Sequence, residues 1–202
     1  NVVVSPSEFM PRLFAENGRL LDSQGRITLD TPEALRALEN YRETYSYSDR
    51  TIYDFWKNAL EGFADGTAAM TVVFINYASH ILNSQMSRIA GKLGFAPVPG
   101  GKPLLGGGVI GIAQSCTCPA AACKFLEWLY ADLVAPVFTM LGGLSPCRSA
   151  YSNRDISEQY PWLSTARKSF PTAQRRSNST YYQNFSELQL ETILAAHVQQ
   201  AV

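Results

Sequence analysis

The stretch Phe63-Ala64-Asp65-Gly66-Thr67 and the apolar run behind it constrain this chain most. Phe63 closes an amphipathic helical pattern, and Asp65-Gly66 is a stop signal, because glycine takes a positive φ without a Cβ clash. Residues 68–75 then read Ala-Ala-Met-Thr-Val-Val-Phe-Ile, almost unbroken in apolar character and rich in β-branched side chains. That length and composition predict a strand buried on both faces. Asn76 and Tyr77 follow at its carboxyl end, where open α/β sheets collect their ligands. An amide beside an aromatic ring there suits a polar, flat-faced ligand.

Helical patterns surround this strand. Ser5-Pro6-Ser7-Glu8 reads as a capping box opening a helix that runs to about Glu16. Residues 20–29 flank an Asp-Ser-Gln-Gly turn and read as a hairpin-like excursion. Thr31-Pro32-Glu33 opens a second helix with Leu35, Leu38, Tyr41 and Tyr45 roughly on one face. A third helix is expected over 53–64 and a fourth over 77–90, with strands at 93–98 and 108–113. Cys118-Pro119 starts a helix whose buried stripe would be Ala122, Phe125, Leu126 and Leu129. Further helices are expected over 133–141, as two short ones within 151–168, and around 185–197. Strands alternating with helices give an α/β class.

Totals exclude several functions. The chain has 202 residues, with seventeen basic and seventeen acidic side chains in balance, so its charge asks for neither nucleic acid nor an anionic membrane. Its longest apolar run is too short to span a bilayer. No basic start and long apolar core opens it, so the sequence expects a cytoplasmic chain, a mature form or one cut from a longer protein. Cys116, Cys118, Cys123 and Cys147 lack paired zinc-ribbon spacing and read as mostly buried thiols, with up to two disulfides left open. His80 and His197 each stand alone on a helix. Catalytic motifs for metalloprotease, α/β-hydrolase or kinase chemistry are missing. No catalytic residue, metal or cofactor is therefore assigned. What remains is aromatic supply: ten Tyr, ten Phe and three Trp. A sugar lays its C–H face on such rings while planar polar groups take its hydroxyls.

The motif F-A-D-G-T-A-A-M with its apolar strand resembles the F-x-x-G-x-A-A-M segment of family 1 extracellular solute-binding proteins, the binding components of bacterial sugar importers. Four more segments match in order: Asn17-Gly18-Arg19-Leu20-Leu21-Asp22 with Thr28-Leu29-Asp30-Thr31-Pro32-Glu33-Ala34; Phe95-Ala96-Pro97-Val98-Pro99-Gly100-Gly101; Gly106-Gly107-Gly108 to Ile112; and Phe125-Leu126-Glu127-Trp128-Leu129 leading to Gly142-Gly143-Leu144-Ser145-Pro146-Cys147-Arg148. They span roughly residues 10 to 150.

The resemblance implies an α/β periplasmic-binding-protein-like fold of type II, lacking the first part of its amino-terminal lobe. Residues 1–93 and 132–202 would form the carboxyl-terminal lobe, and residues 94–131 a strand–strand–helix segment of the other lobe. It implies capture of a carbohydrate, in particular an oligosaccharide, by lobe closure, with delivery to the permease subunits of an ABC importer. The location implied is extracellular, lipoprotein-anchored or periplasmic. Glycines near Gly100 and Gly106 are hinge candidates. Ligand contacts would be Asn76, Tyr77, Gly107, Gly108, Arg148, Trp162 and Tyr181, with Tyr182 beside it. For each a structural role competes: a helix cap for Asn76, core packing for Tyr77 and Trp162, a flexible link for the glycines, a turn brace for Arg148. Two other classes stay open, a ligand-sensing domain of a cytoplasmic regulator and a carbohydrate-active enzyme. A chain lacking half a lobe would leave apolar surface uncovered, so a homodimer or domain swap is expected.

Overall fold

The computed structural model describes residues 4–48, 56–176 and 187–201. Nine α-helices are present among them: α1 (Val4–Ala15), α2 (Pro32–Tyr45), α3 (Trp56–Ala64), α4 (Ala78–Leu82), α5 (Pro119–Leu129), α6 (Val134–Met140), α7 (Arg154–Gln159), α8 (Pro161–Ser169) and α9 (Glu187–Ala201). Short 3-10 turns lie at Ile75–Tyr77, Arg148–Tyr151 and Phe170–Thr172. No described helix is long and apolar enough to cross a membrane.

Two cores hold these elements. In the first, α1 places Phe9, Met10, Leu13 and Phe14 against Ala34 and Ala37 of α2 and Leu194 and Val198 of α9. Burying each large side chain stabilises by roughly 1.5–3 kcal/mol, so α1 is the central strut. Helix α1 begins at Val4, which puts Ser5 inside the first turn rather than at the expected cap. Helix α2 starts as the sequence predicts, with the Thr31 hydroxyl accepting from the Ala34 N–H at 3.3 Å. Its buried face is Ala34 and Ala37, while Leu35 is exposed and Leu38 and Tyr41 pack at the margin. The hairpin-like excursion closes through an antiparallel bridge between Leu21 and Ile27. One Asp22 carboxylate oxygen accepts from the Gln24 and Arg26 N–H groups at 2.8 and 2.9 Å, which fixes the turn.

The second core joins Ala78 of α4, Ala135 of α6, Trp162, Leu163 and Ala166 of α8, and Ala150 and Tyr151 between them. The sheet differs from the sequence expectation. Residues 68–74 carry no ladder, Met70 is 87% exposed, and the segments near 93–98 and 108–113 are likewise unpaired. Bridges among the described residues are confined to Leu21 with Ile27 and Leu104 with Gln174. Strand pairing needs a neighbour to accept the backbone bonds, and no bridge to any of these three segments occurs among the described residues. The expected helix over 77–90 is shortened to α4, because Asn83 leaves the helical region and its side chain takes the Gln85 N–H at 2.9 Å. On α5 only Leu129 is buried, and Phe125 and Trp128 stand more than half exposed with their rings 5.7 Å apart. Of the stripe expected to be buried on α5, Leu129 is buried, Ala122 and Leu126 are half-buried, and Phe125 faces outward. Cys118 and Cys123 are exposed too, and Cys116 and Cys147 are half-buried, so the expectation of mostly buried thiols fails.

Candidate functional site

The site is built from the end of α3 onward. Gly66, at φ +81°, stops α3: its N–H donates to the Phe63 carbonyl at 2.9 Å and the Thr67 N–H to the Gly62 carbonyl at 3.0 Å. That pair of bonds is the Schellman ending the Asp-Gly signal predicts. The chain then runs extended to Phe74 and tightens into the 3-10 turn carrying Asn76 and Tyr77. Both residues are half-buried. The Asn76 side chain is not the cap of α4, because Tyr77 itself holds the capping position, in helical conformation.

Two other segments approach this turn. Gly106 lies on the ring of Phe74, and a Cβ added there would stand 3.2 Å from Cε1. The approach is anchored just before it, where the Leu105 N–H donates to the Gln174 carbonyl at 2.8 Å and the Gln174 N–H to the Pro103 carbonyl at 2.9 Å. Gly107 and Gly108 continue outward, exposed, with open space where a side chain would sit. Their backbone is therefore reachable by a ligand. From the other side, Gly142 packs on Ser79 and Asn76. A Cβ at Gly142 would collide with the Ser79 hydroxyl and lie 3.6 Å from the Asn76 carbonyl. Ser79 donates to that same carbonyl at 3.4 Å.

The turn after Gly142 is held from within. Gly142, at φ +96°, and Gly143 end α6 by donating to the Thr139 and Phe138 carbonyls at 3.1 and 3.0 Å. The Ser145 N–H donates to the Thr139 hydroxyl at 3.4 Å, and that hydroxyl donates to the Ala135 carbonyl at 2.9 Å. The Tyr151 hydroxyl donates to the Ser145 carbonyl at 2.8 Å. The Ser145 hydroxyl accepts from the Cys147 N–H at 3.1 Å. All three side chains are buried, and burial pushes the Tyr151 phenol above its usual value, opposed in part by the Thr139 hydrogen bond. Arg148 opens the 3-10 turn that follows and is exposed.

The candidate residues thus divide. Asn76, Tyr77, Gly107, Gly108 and Arg148 are carried by three segments that meet at Phe74–Gly106 and Asn76–Gly142. Trp162 is 0% exposed and packed in the second core, so its ring offers no face to a ligand in this conformation. Its indole N–H is buried without a hydrogen-bond partner. Tyr181 and Tyr182 lie outside the described residues. The hinge candidate Gly100 packs closely on Ala15 of α1, and Lys102 donates to Asn17, so that loop is pinned to the end of α1. Sequence reasoning missed Ser79, Thr139, Ser145 and Tyr151. Their one local signal was the Gly142-Gly143 pair, which demands a helix stop but does not say what packs on it. A separate apolar groove of about 510 Å³ lies between α1, α2 and α9, bordered by Phe9, Leu35, Leu38 and His197, and includes none of the candidates. No group of three or more metal-ligating side chains occurs among the described residues.

Residues 5–165 match the family of bacterial extracellular solute-binding proteins, and the chain belongs to that family. Its fold is that of type II periplasmic binding proteins. The maltose-bound MalE3 of T. maritima superposes with a TM-score of 0.80 at 24% identity, over 97% of this chain and 52% of that one. An ABC transporter solute-binding protein from Agrobacterium radiobacter K84, in complex with ribitol, gives 0.72 at 22% identity, over 98% and 51%. The chain spans about half the length of these structures. Comparison with curated protein sequences finds no match.

Proposed function

We propose that this chain supplies one wall of a carbohydrate-binding site in a protein that delivers its ligand to an ABC importer at the bacterial cell surface, as a lipoprotein or in the periplasm. The observation that carries the reading is the meeting of three segments, Phe74 on Gly106 and Gly142 on Asn76, within a chain of this family. Tyr77 offers a ring and a hydroxyl, Asn76 an amide, Gly107 and Gly108 open backbone, and Arg148 five donors on an exposed fork. No proton transfer or covalent step is required, so the role is reversible capture rather than catalysis. The two structural neighbours are bound to maltose and to ribitol, which sets the ligand range to test at sugars and polyols.

Residues 94–131 act as part of the opposite lobe in this reading. What supports it is α5, whose contacts are chiefly with the adjacent α6 and whose aromatic face is open. The whole chain exposes 13564 Å², against about 9,400 Å² for a closed monomer of its mass. The excess on this one chain is larger than the roughly 1,000–2,500 Å² that each partner gives to an obligate interface. It is covered by the opposite lobe in a two-lobed molecule, and by a second copy when residues 1–202 stand alone.

Thermal unfolding of the full-length protein against a panel of mono- and oligosaccharides and polyols tests the reading. A ligand at about 100 times its Kd stabilises by roughly 2.7 kcal/mol, a rise of about 3–5 °C for a protein about twice this length. A rise with one sugar class, without turnover, supports capture. No rise with any sugar or polyol removes the carbohydrate reading.

A further inference from the structure

Exposed residues touch a ligand, but something must hold their segments at a fixed separation. The turn over 142–148 and the turn over 75–79 come from distant parts of the sequence, and one glycine joins them. Gly142 meets Ser79 so closely that no Cβ fits between them. Ser79 in turn bonds the Asn76 carbonyl. Any shift of the first turn therefore pushes on the residue bearing the candidate amide. The first turn is itself set by the buried chain from Ala135 through Thr139 and Ser145 to Tyr151. Such a chain in apolar surroundings has few alternative arrangements, because a broken bond leaves a buried group without a partner. Nothing about packing alone calls for hydroxyls here, since valine and phenylalanine would fill the same volumes as Thr139 and Tyr151.

We propose that the Thr139–Ser145–Tyr151 network and the Gly142–Ser79 contact form a positioning device. It fixes the turn bearing Arg148 against the turn bearing Asn76 and Tyr77, and so sets which sugar fits. This rests on the proposed function. The network members touch no ligand; they act through Arg148 and Asn76.

The test uses the full-length protein with Tyr151→Phe, which removes only the hydroxyl. Amide hydrogen exchange is read over 141–148 and over 74–80, and affinity is measured by calorimetry with maltose and ribitol as probes. The device predicts faster exchange in both segments, although only the first loses a bond. It also predicts about a tenfold loss of affinity for whichever probe binds the wild type, with a changed ratio between probes if both bind. Gly142→Ala should act the same way, and adding Ser79→Gly should restore part of the loss by vacating the contact. Faster exchange confined to 141–148 overturns the coupling, as does affinity held within twofold while exchange rises. A wild type that binds neither probe counts against the carbohydrate reading alone. The paired exchange response then still decides whether the two turns are coupled.

Discussion

Trp162 separates packing from binding more sharply than any other residue. Its side chain is fully buried among Ala78, Ala135, Leu163 and Ala166, yet its indole N–H has no partner. Trp162→Phe therefore has two opposed effects. It deletes three heavy atoms, and an unrelaxed void of about 40 Å³ costs about 1 kcal/mol, with about 1 kcal/mol more for the lost transfer of apolar surface. It also removes a buried, unsatisfied donor, whose burial costs about 1–3 kcal/mol. The net change is within about 1 kcal/mol of zero, or less than about 2 °C in Tm for a protein about twice this length. Trp162→Ala removes the same donor but leaves a far larger void, and should cost about 3–5 kcal/mol, roughly 3–10 °C for a protein about twice this length. Thermal unfolding by circular dichroism on the full-length protein reads both, and calorimetry with the best sugar reads affinity. Trp162→Phe should leave affinity within twofold. A Phe variant of unchanged Tm that has lost its sugar would refute the burial argument and make Trp162 a ligand contact. A Phe variant as unstable as the Ala variant would show that the indole N–H has a partner after all.

Glu8 gives a pH signature. Burial raises its carboxyl above the usual carboxylate range, opposed by the Arg12 guanidinium and a Tyr41 hydrogen bond. Arg12, the one charged neighbour in that set, also lies 4.5 Å over the Tyr41 ring and donates to Thr44 at 3.1 Å. A raised folded value means that the contribution is fully present below about pH 4.5 and is lost as pH rises through the folded value. Glu8→Gln should therefore gain Tm relative to wild type between pH 4 and pH 7. The effect is small, because 42% of the Glu8 side chain meets solvent; a relative loss over that range would reverse the sign. Residues 1–202 expressed alone should elute and scatter light at twice 22.3 kDa, and a monomer across a hundredfold concentration range would contradict the covering role assigned to the open apolar face.

What was legible in the sequence is what short-range chemistry decides. Thr31-Pro32 marked the start of α2, Asp65-Gly66 the end of α3, and the Asp22 turn its own closure, because each depends on groups within a few residues. Residues 68–75 had strand composition, but a strand exists only when a distant segment pairs with it, and that no local pattern reports. On α5 the expected burial held at Leu129 and only in part at Ala122 and Leu126, and it failed at Phe125 for the same reason: helical spacing says which residues share a face, not what stands opposite. At the candidate site, Asn76 and Tyr77 were readable from their place after an apolar run. Thr139 and Tyr151 were not, because a buried hydroxyl acquires its role from a carbonyl brought to it by tertiary folding. Trp162 shows the converse. Its type fits both a core and a sugar platform, and only its burial separates them.

The two halves of the described molecule differ in a way that bears on function. The core of α1, α2 and α9 is closed by large side chains of α1 and α9 against two alanines of α2. The core of α4, α6 and α8 is built largely from alanines around one Trp and one Tyr, and ends against a buried polar network. Alanines let backbones approach, and close approach transmits a shift from one segment to the next instead of absorbing it in flexible side chains. A site that closes on a ligand needs such a rigid wall on one side and an open, apolar contact surface on the other. Asn76 and Tyr77 stand on the turn that Gly142 contacts, and Arg148 follows the turn that the buried network holds. The exposed run through Met70, Val72, Val109 and Ile110 supplies the open one. In the proposed reading, affinity depends on how the second lobe seats on that surface, and specificity on how little the first wall yields.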